Sequence, residues 1–304
     1  LEARTEGWAA GLQMAALSMR GHSDADGFIR AFAGTHRFIL DFLMEEVLSR
    51  EPEDVQAFLL QTAIITRLTG PLCDAVTGAS GGQEMLERLE RHNLFVVPLD
   101  DERRWYRYHH LFADLLQARL CRSEPVPVAS LRSRAADWCE REGLVAEAVD
   151  YALAAQDYAR AAGLITRYWQ YIMGEGETET IWSWLNALPE DVLAGSASLS
   201  LACSWVLWLK GQIDLIEPHL ADAERALSEM AGAETRSTED THYPGLPAEL
   251  AALRSIVARY QCDFDAAGAH AERALELVPG ELPPQADARL RMFIFMALAT
   301  AYDG

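Results

Sequence analysis

Apolar residues recur at helical spacing through most of this chain, and the interruptions divide it into elements. Residues 7–20, "GWAAGLQMAALSMR", and 28–50 each carry a helical pattern, separated by "GHSDADG". Pro52 opens a third helix that the periodicity extends to about Thr66. In "LTGPLCDAVTG", Pro71 stands near the first position of a short helix and Gly78 ends it. "GGQEMLERLERHN" is amphipathic, with Met85, Leu86 and Leu89 on one side and Glu and Arg on the other, and Asn93 marks its stop. The local character then changes. "LFVVPL" is rich in β-formers, "DDER" reads as a turn, and "RWYRYH" alternates aromatic and basic residues. This hairpin signal runs straight into the helical pattern "HLFADLLQARL". Three helices, a hairpin and a further helix predict a winged-helix module over residues 51–121.

From about Pro127 onward the pattern is helical throughout. "AADWCEREGLVAEAVDYALAAQDYARAAGLI", "LACSWVLWLKGQIDLIEPHLADAERALSEM" and "AALRSIVARYQCDFDAAGAHAERALELVP" each read as helix, short turn with Gly or Asp, helix. The pentapeptide "AERAL" stands at 223–227 and again at 271–275. A single helical pair of this kind cannot bury its apolar face, whereas stacked pairs make a continuous core. The expected fold is mostly α: a helical segment over 1–50, the winged helix over 51–121, and a tetratricopeptide-like α-α superhelix over 122–304, with a long loop near 232–247.

Composition narrows the function. The formal net charge is −20, divided into −6 over residues 1–120 and −14 over 121–304. An acidic surface repels phosphate backbones, so nucleic-acid binding by these residues is not expected. Of the basic residues only Lys210 is lysine. The five cysteines are odd in number and none forms a C-x-x-C pair, which fits buried thiols in a reduced cytoplasm better than disulfides or zinc. No apolar run is long enough to span a bilayer, so no membrane association is expected. Leu1 opens the chain without Met and the helical pattern runs to the last residues, so we expect a piece of a longer protein.

The stretches "TEGWAAGLQMAALSMRG", "GTHRFILDFLMEEVL", "FLLQTAIITRLTGPLCDAVTG" and "LERLERHNLFVVPLDDERRWYRYHHLFADLLQARL" follow one another in fixed order. Together they resemble the middle of the MalT-like large ATP-binding LuxR-type transcriptional regulators, which belong to the signal-transducing ATPases with numerous domains. The resemblance is dense over 1–121 and looser over 127–304, where it matches the family's helical-repeat sensor. It implies a parent with a P-loop ATPase upstream and a helix-turn-helix DNA-binding domain downstream. No G-x-x-x-x-G-K-[ST] occurs here, and Lys210 in "WLKGQ" cannot serve as one. ATP or ADP binding and DNA binding are therefore expected of the parent and not of these residues, which we expect to be no enzyme. The resemblance also implies partners: the protein's own ATPase domain, an inducer or regulatory protein at the repeats, and self-association in the active state. A helical-repeat interaction scaffold without a nucleotide switch is the alternative.

Chemistry-bearing residues are few. His109 and His110 are adjacent in "WYRYHHLFADLL", but adjacent helical residues do not converge on one ion. His110 and Asp114 share a face at i, i+4 without a third ligand, so no metal site is expected. No G-x-S-x-G elbow or Cys–base pair suggests nucleophilic catalysis. In related ATPases a winged-helix histidine, in a Met-His-Asp-Leu type motif, contacts the β-phosphate of ADP. The resemblance puts His109 of "YHHL" at that position, with His110 departing from the usual Asp. Two readings stay open: His109 as nucleotide contact, or as a packing residue against Trp105 and Phe112. The third winged helix, carrying Glu84, Glu87 and Glu90 against Arg88 and Arg91, is too acidic to read bases and is expected to pack within the protein. Trp182, Trp184, Trp205 and Trp208, with Tyr168, Trp169 and Tyr171, are read as filling between helical pairs in preference to a ligand groove.

Overall fold

The computed structural model describes Leu48, residues 51–92, 94–121, 127–232 and 244–280, and several positions between 290 and 299. The helices expected over 7–20 and 28–50, apart from Leu48, and the stop at Asn93 lie outside the described residues. The chain divides into two compact units, residues 1–156 and 157–304.

The first unit is built on α1 (Glu53–Thr62), α2 (Gly70–Thr77), α3 (Gly82–Arg91), β1 (Val96–Pro98), β2 (Tyr106–Tyr108) and α4 (His110–Leu120). α1 stops at Thr62, short of the Thr66 that its periodicity predicts. The intervening chain is drawn out because Leu68 and Tyr106 exchange two backbone hydrogen bonds, 2.7 and 2.9 Å long. That bridge extends the β1–β2 hairpin, whose antiparallel register pairs Val96 with Tyr108 and Pro98 with Tyr106. The Thr69 hydroxyl accepts from the Leu72 amide at the start of α2, and Gly78 closes that helix at φ 74°. At the start of α3, the Asp74 carboxylate accepts from the Gly82 amide at 2.7 Å. Leu86 and Leu89 of α3, and Phe112, Leu115, Leu116 and Leu120 of α4, are buried.

The same unit contains a helical pair, α5 (Val128–Arg141) and α6 (Val145–Ala154). α5 buries Leu131, Ala135, Ala136 and Cys139, and α6 buries Ala148, Val149, Tyr151 and Ala152. α5 packs along α2. Arg134 donates to the Val76 carbonyl at 3.0 Å, satisfying one of the C-terminal carbonyls of α2 that the helix itself leaves open.

The second unit comprises α7 (Tyr158–Gly174), α8 (Thr178–Ala187), α9 (Glu190–Ala194), α10 (Ala197–Leu209), α11 (Ile216–Gly232), α12 (Leu246–Tyr260) and α13 (Phe264–Glu276). One turn recurs. At Gly143, Gly176, Gly211 and Cys262 the backbone has φ between 61° and 85°. Each of these amides donates to the carbonyl three residues back, and the next amide to the carbonyl five back, as in Leu144→Cys139 at 2.8 Å and Asp263→Ala258 at 2.9 Å. This is the Schellman arrangement for ending a helix. The repeated pentapeptide falls on α11 and α13, where Ala223 and Ala226 are buried just as Ala271 and Ala274 are. The predicted architecture, a winged helix with one hairpin followed by helical pairs, is the one observed.

Candidate functional site

The "YHHL" junction forms where β2 turns into α4. His109 is the residue before the helix, with φ −58° and ψ 134°, and its side chain makes no capping hydrogen bond. Its amide donates to the Phe95 carbonyl at 2.7 Å, continuing the hairpin ladder by one rung. Its carbonyl accepts from Phe112 and Ala113, both at 2.9 Å, and so begins the helix. His109 thus belongs to both elements, which fixes its Cα closely. The side chain is 6% exposed. Its ring stacks on that of His110, with centroids 4.8 Å apart and planes 21° from parallel. Phe112 packs instead on Phe95, at 4.8 Å, and edge-on to Tyr108, at 6.0 Å. The His109 ring thus stacks on that of His110.

Beneath the junction, the Tyr108 and Thr62 hydroxyls are 2.6 Å apart, both buried. Burial pushes the Tyr108 phenol well above its ordinary value, so it remains a neutral hydrogen-bonding group. Among the described residues no three His, Cys, Asp or Glu side chains converge as metal ligands. Burial pushes the Cys139 and Cys203 thiols up to about 12 and raises that of Cys73 further, which leaves them unreactive as nucleophiles.

The wing is tied to α3 by side-chain contacts. Arg103 pairs with Glu90 at 3.1 Å, Gln83 donates to the Arg103 carbonyl at 3.0 Å, and the Tyr106 hydroxyl reaches Glu90 at 3.4 Å. Arg104 pairs with Glu102 at 2.7 Å, and the Arg67 guanidinium lies over Trp105, 4.6 Å from the ring centre. Three cations of the hairpin region are thus committed to local partners. A cleft of about 350 Å³ between α1, α2 and the start of α3 is lined by Asp54, Phe58, Gln61, Asp74, Ser80 and Met85. Its two carboxylates make it a poor seat for a phosphate. In the second unit, Trp169, Trp184 and Trp205 are buried, and Tyr171 stands 66% exposed. The Trp169 indole donates to the Ser198 hydroxyl at 3.1 Å, so three members of the aromatic cluster serve as packing.

Residues 44–128 match the MalT winged helix domain family. The similarity extends over 90% of the chain in the "HTH-type transcriptional regulator MalT" of Serratia proteamaculans, 31% identical, and of Cronobacter sakazakii, 32% identical. Residues 44–128 belong to the MalT winged helix domain family, and the chain resembles a part of the MalT regulators. It also matches "Serine/threonine-protein kinase PknK" of Mycobacterium tuberculosis, 36% identical over 79% of the chain. It covers 22% of that kinase and 29–30% of the two MalT proteins, so the likeness concerns a minor part of each relative. This MalT-like sequence contains neither the His-Arg-Asp nor the Asp-Phe-Gly signature of protein kinases. Among the described residues no helix is long and apolar enough to cross a membrane.

Sequence reasoning did not find three residues that hold the junction. Leu68 pairs with Tyr106, and Tyr151 and Arg134 attach the α5–α6 pair to the winged helix. Leu68 carries no turn or strand signal of its own. Tyr151 and Arg134 are ordinary helix residues until the fold brings them beside α1 and α2.

Proposed function

We propose that this chain is the coupling region of an ATP-dependent MalT-like transcriptional regulator. In this reading the winged helix holds the nucleotide-bound state of an upstream ATPase domain, with His109 directed to the phosphates of ADP. The helical pairs receive an inducer or a regulatory protein. Ligand binding shifts the balance to an ATP-bound form that self-associates and binds DNA through a downstream domain in the cytoplasm. Such a ligand acts only through its different affinity for the two states.

The observation that supports this reading is the position of His109. It stands at the start of an 11-residue helix, whose N–H groups and positive dipole end favour an anion. A histidine there can donate to a phosphate oxygen, more strongly when protonated. The likeness to MalT proteins and to a kinase supports the same view, because a region found in both types of regulator suits a switch better than a catalyst. The acidic face of α3 favours packing within the protein over base reading.

The test is nucleotide retention by the full-length regulator carrying His109→Ala. A lost charge-assisted hydrogen bond is worth about 1.5–3 kcal/mol, so ADP affinity should fall roughly 10- to 150-fold and the activation threshold should drop. Unchanged ADP affinity would remove His109 from the nucleotide site.

A further inference from the structure

The segment between α1 and α2 touches both the α5–α6 pair and the strand that leads to His109. The Thr66 amide donates to the Tyr151 hydroxyl of α6 at 3.4 Å, and the Thr66 side chain lies beside the same oxygen. The Arg67 guanidinium covers Trp105 of the wing. Leu68 is hydrogen-bonded in both directions to Tyr106, and three residues further along that strand is His109. The strand is fixed again at its end by the Thr62–Tyr108 hydroxyl contact. Three residues of backbone therefore connect a helical pair to the strand that carries the histidine.

The helical pair is itself firmly held. Arg134 ties α5 to the end of α2, and Arg132 donates to the Ala154 carbonyl at 2.5 Å, joining α5 to the end of α6. Tyr151 is 9% exposed, and its hydroxyl accepts from the Thr66 amide. A displacement of α6 relative to α1 cannot leave Thr66 where it is without breaking this contact. A displacement of Thr66–Leu68 cannot leave Tyr106 in place without breaking two backbone hydrogen bonds.

We propose that Tyr151 is a positioning residue for His109. It pins the Thr66–Leu68 segment, and through the Leu68–Tyr106 bridge it sets the end of the strand from which His109 enters α4. The α5–α6 pair then acts as the arm by which movement in the helical region reaches the histidine. The bridge and contacts concern this chain alone, while the consequence for nucleotide rests on the reading of His109 proposed above. A coupling claim of this kind needs a measured response at both ends, not adjacency.

The conservative variant Tyr151→Phe removes the hydroxyl and keeps the ring, so the fold should persist by far-UV circular dichroism. Amide hydrogen exchange in the full-length regulator is then read at Thr66, Leu68, Tyr106 and His109, and ADP retention is measured in parallel. Loss of one hydrogen bond should speed exchange at these four amides by roughly fivefold, with little change in α12 and α13. ADP retention should fall severalfold, less than for His109→Ala. Tyr171→Phe, on an exposed ring, should change neither. Faster exchange at Thr66 alone, with Leu68, Tyr106 and His109 unaltered, would overturn the proposal. Faster exchange at all four with ADP retention unaltered would support Tyr151 as the positioning residue and remove His109 from the nucleotide site.

Discussion

At the scale of single residues, His109 is defined by its backbone. One hydrogen bond donated by its amide to the Phe95 carbonyl and two accepted by its carbonyl from Phe112 and Ala113 place it in the sheet and the helix together. The His110 ring lies against that of His109, with centroids 4.8 Å apart. Left-handed backbone at non-glycine residues occurs beside the junction, at Phe95 with φ 57°, in the wing, at Arg103 with φ 54°, and in the turns between helices. Glycine occupies the left-handed position at 143, 176 and 211, but Cys262 takes φ 61° and Gln156 takes φ 60°. A side chain in that region costs about 1–2 kcal/mol, part of which glycine gives back in chain entropy. Cys262→Gly and Gln156→Gly should each stabilise the protein by about 1 kcal/mol, read as a higher denaturation midpoint. The turns were legible in the sequence as Gly and Asp punctuation, with Asp157 and Asp263 marking the turns in which Gln156 and Cys262 take the left-handed position without being glycine.

At the scale of elements, the winged helix depends on the close approach of two helix starts. A Cβ at Gly82 would come within 2.7 Å of the Gly70 carbonyl oxygen and 2.9 Å of an Asp74 carboxylate oxygen, the one that accepts from the Gly82 amide. A Cβ at Gly70 would meet Gln83 at 2.7 Å. Both glycines are buried, and two of the close contacts are backbone that cannot turn aside. Gly82→Ala should therefore destabilise the protein by about 1–3 kcal/mol, the cost of forcing an extra methyl into a packed interior. A urea midpoint equal to that of the unaltered protein would show that α2 and α3 can separate without loss. The helices and the hairpin were legible because their apolar periods differ. The early end of α1 was not, because helical spacing continues through residues that a long-range bridge to Tyr106 pulls out of the helix.

At the scale of the whole molecule, the dominant facts are a net charge of −20 and a division at residue 156. The first helical pair belongs to the compact unit that contains the winged helix, so the covalent junction between the units is the Gln156–Asp157 turn. The pH response of such an acidic protein is commonly assigned to its carboxylates, but one histidine opposes folding in acid. Burial lowers the His219 pKa from 6.5, against a smaller raising effect of Asp222. A basic group with a depressed folded pKa takes up fewer protons when folded, so stability falls as pH drops below about 6.5 and levels off below the folded value. His219→Gln should lose less stability than the unaltered protein between pH 7 and pH 5, measured by urea unfolding at each pH. Parallel loss in the two proteins would show that His219 titrates alike in the folded and unfolded states.

The sequence by itself determined the class of fold and the order of its elements. Periods of 3.6 and 2, punctuated by Pro and Gly, are local properties that survive without any knowledge of neighbours. It also located His109 at a strand–helix junction, because alternation gives way to helical spacing at that residue. Only the tertiary structure decided which ring His109 meets, that Leu68 joins the strand before it, and that Tyr151 and Arg134 fasten a helical pair to the winged helix. Those contacts join residues as many as 85 positions apart, as in Thr66 and Tyr151, and no local pattern encodes a partner at that distance. They arise when packing buries the apolar faces and each polar group left beside the core takes whatever partner the fold has brought within reach.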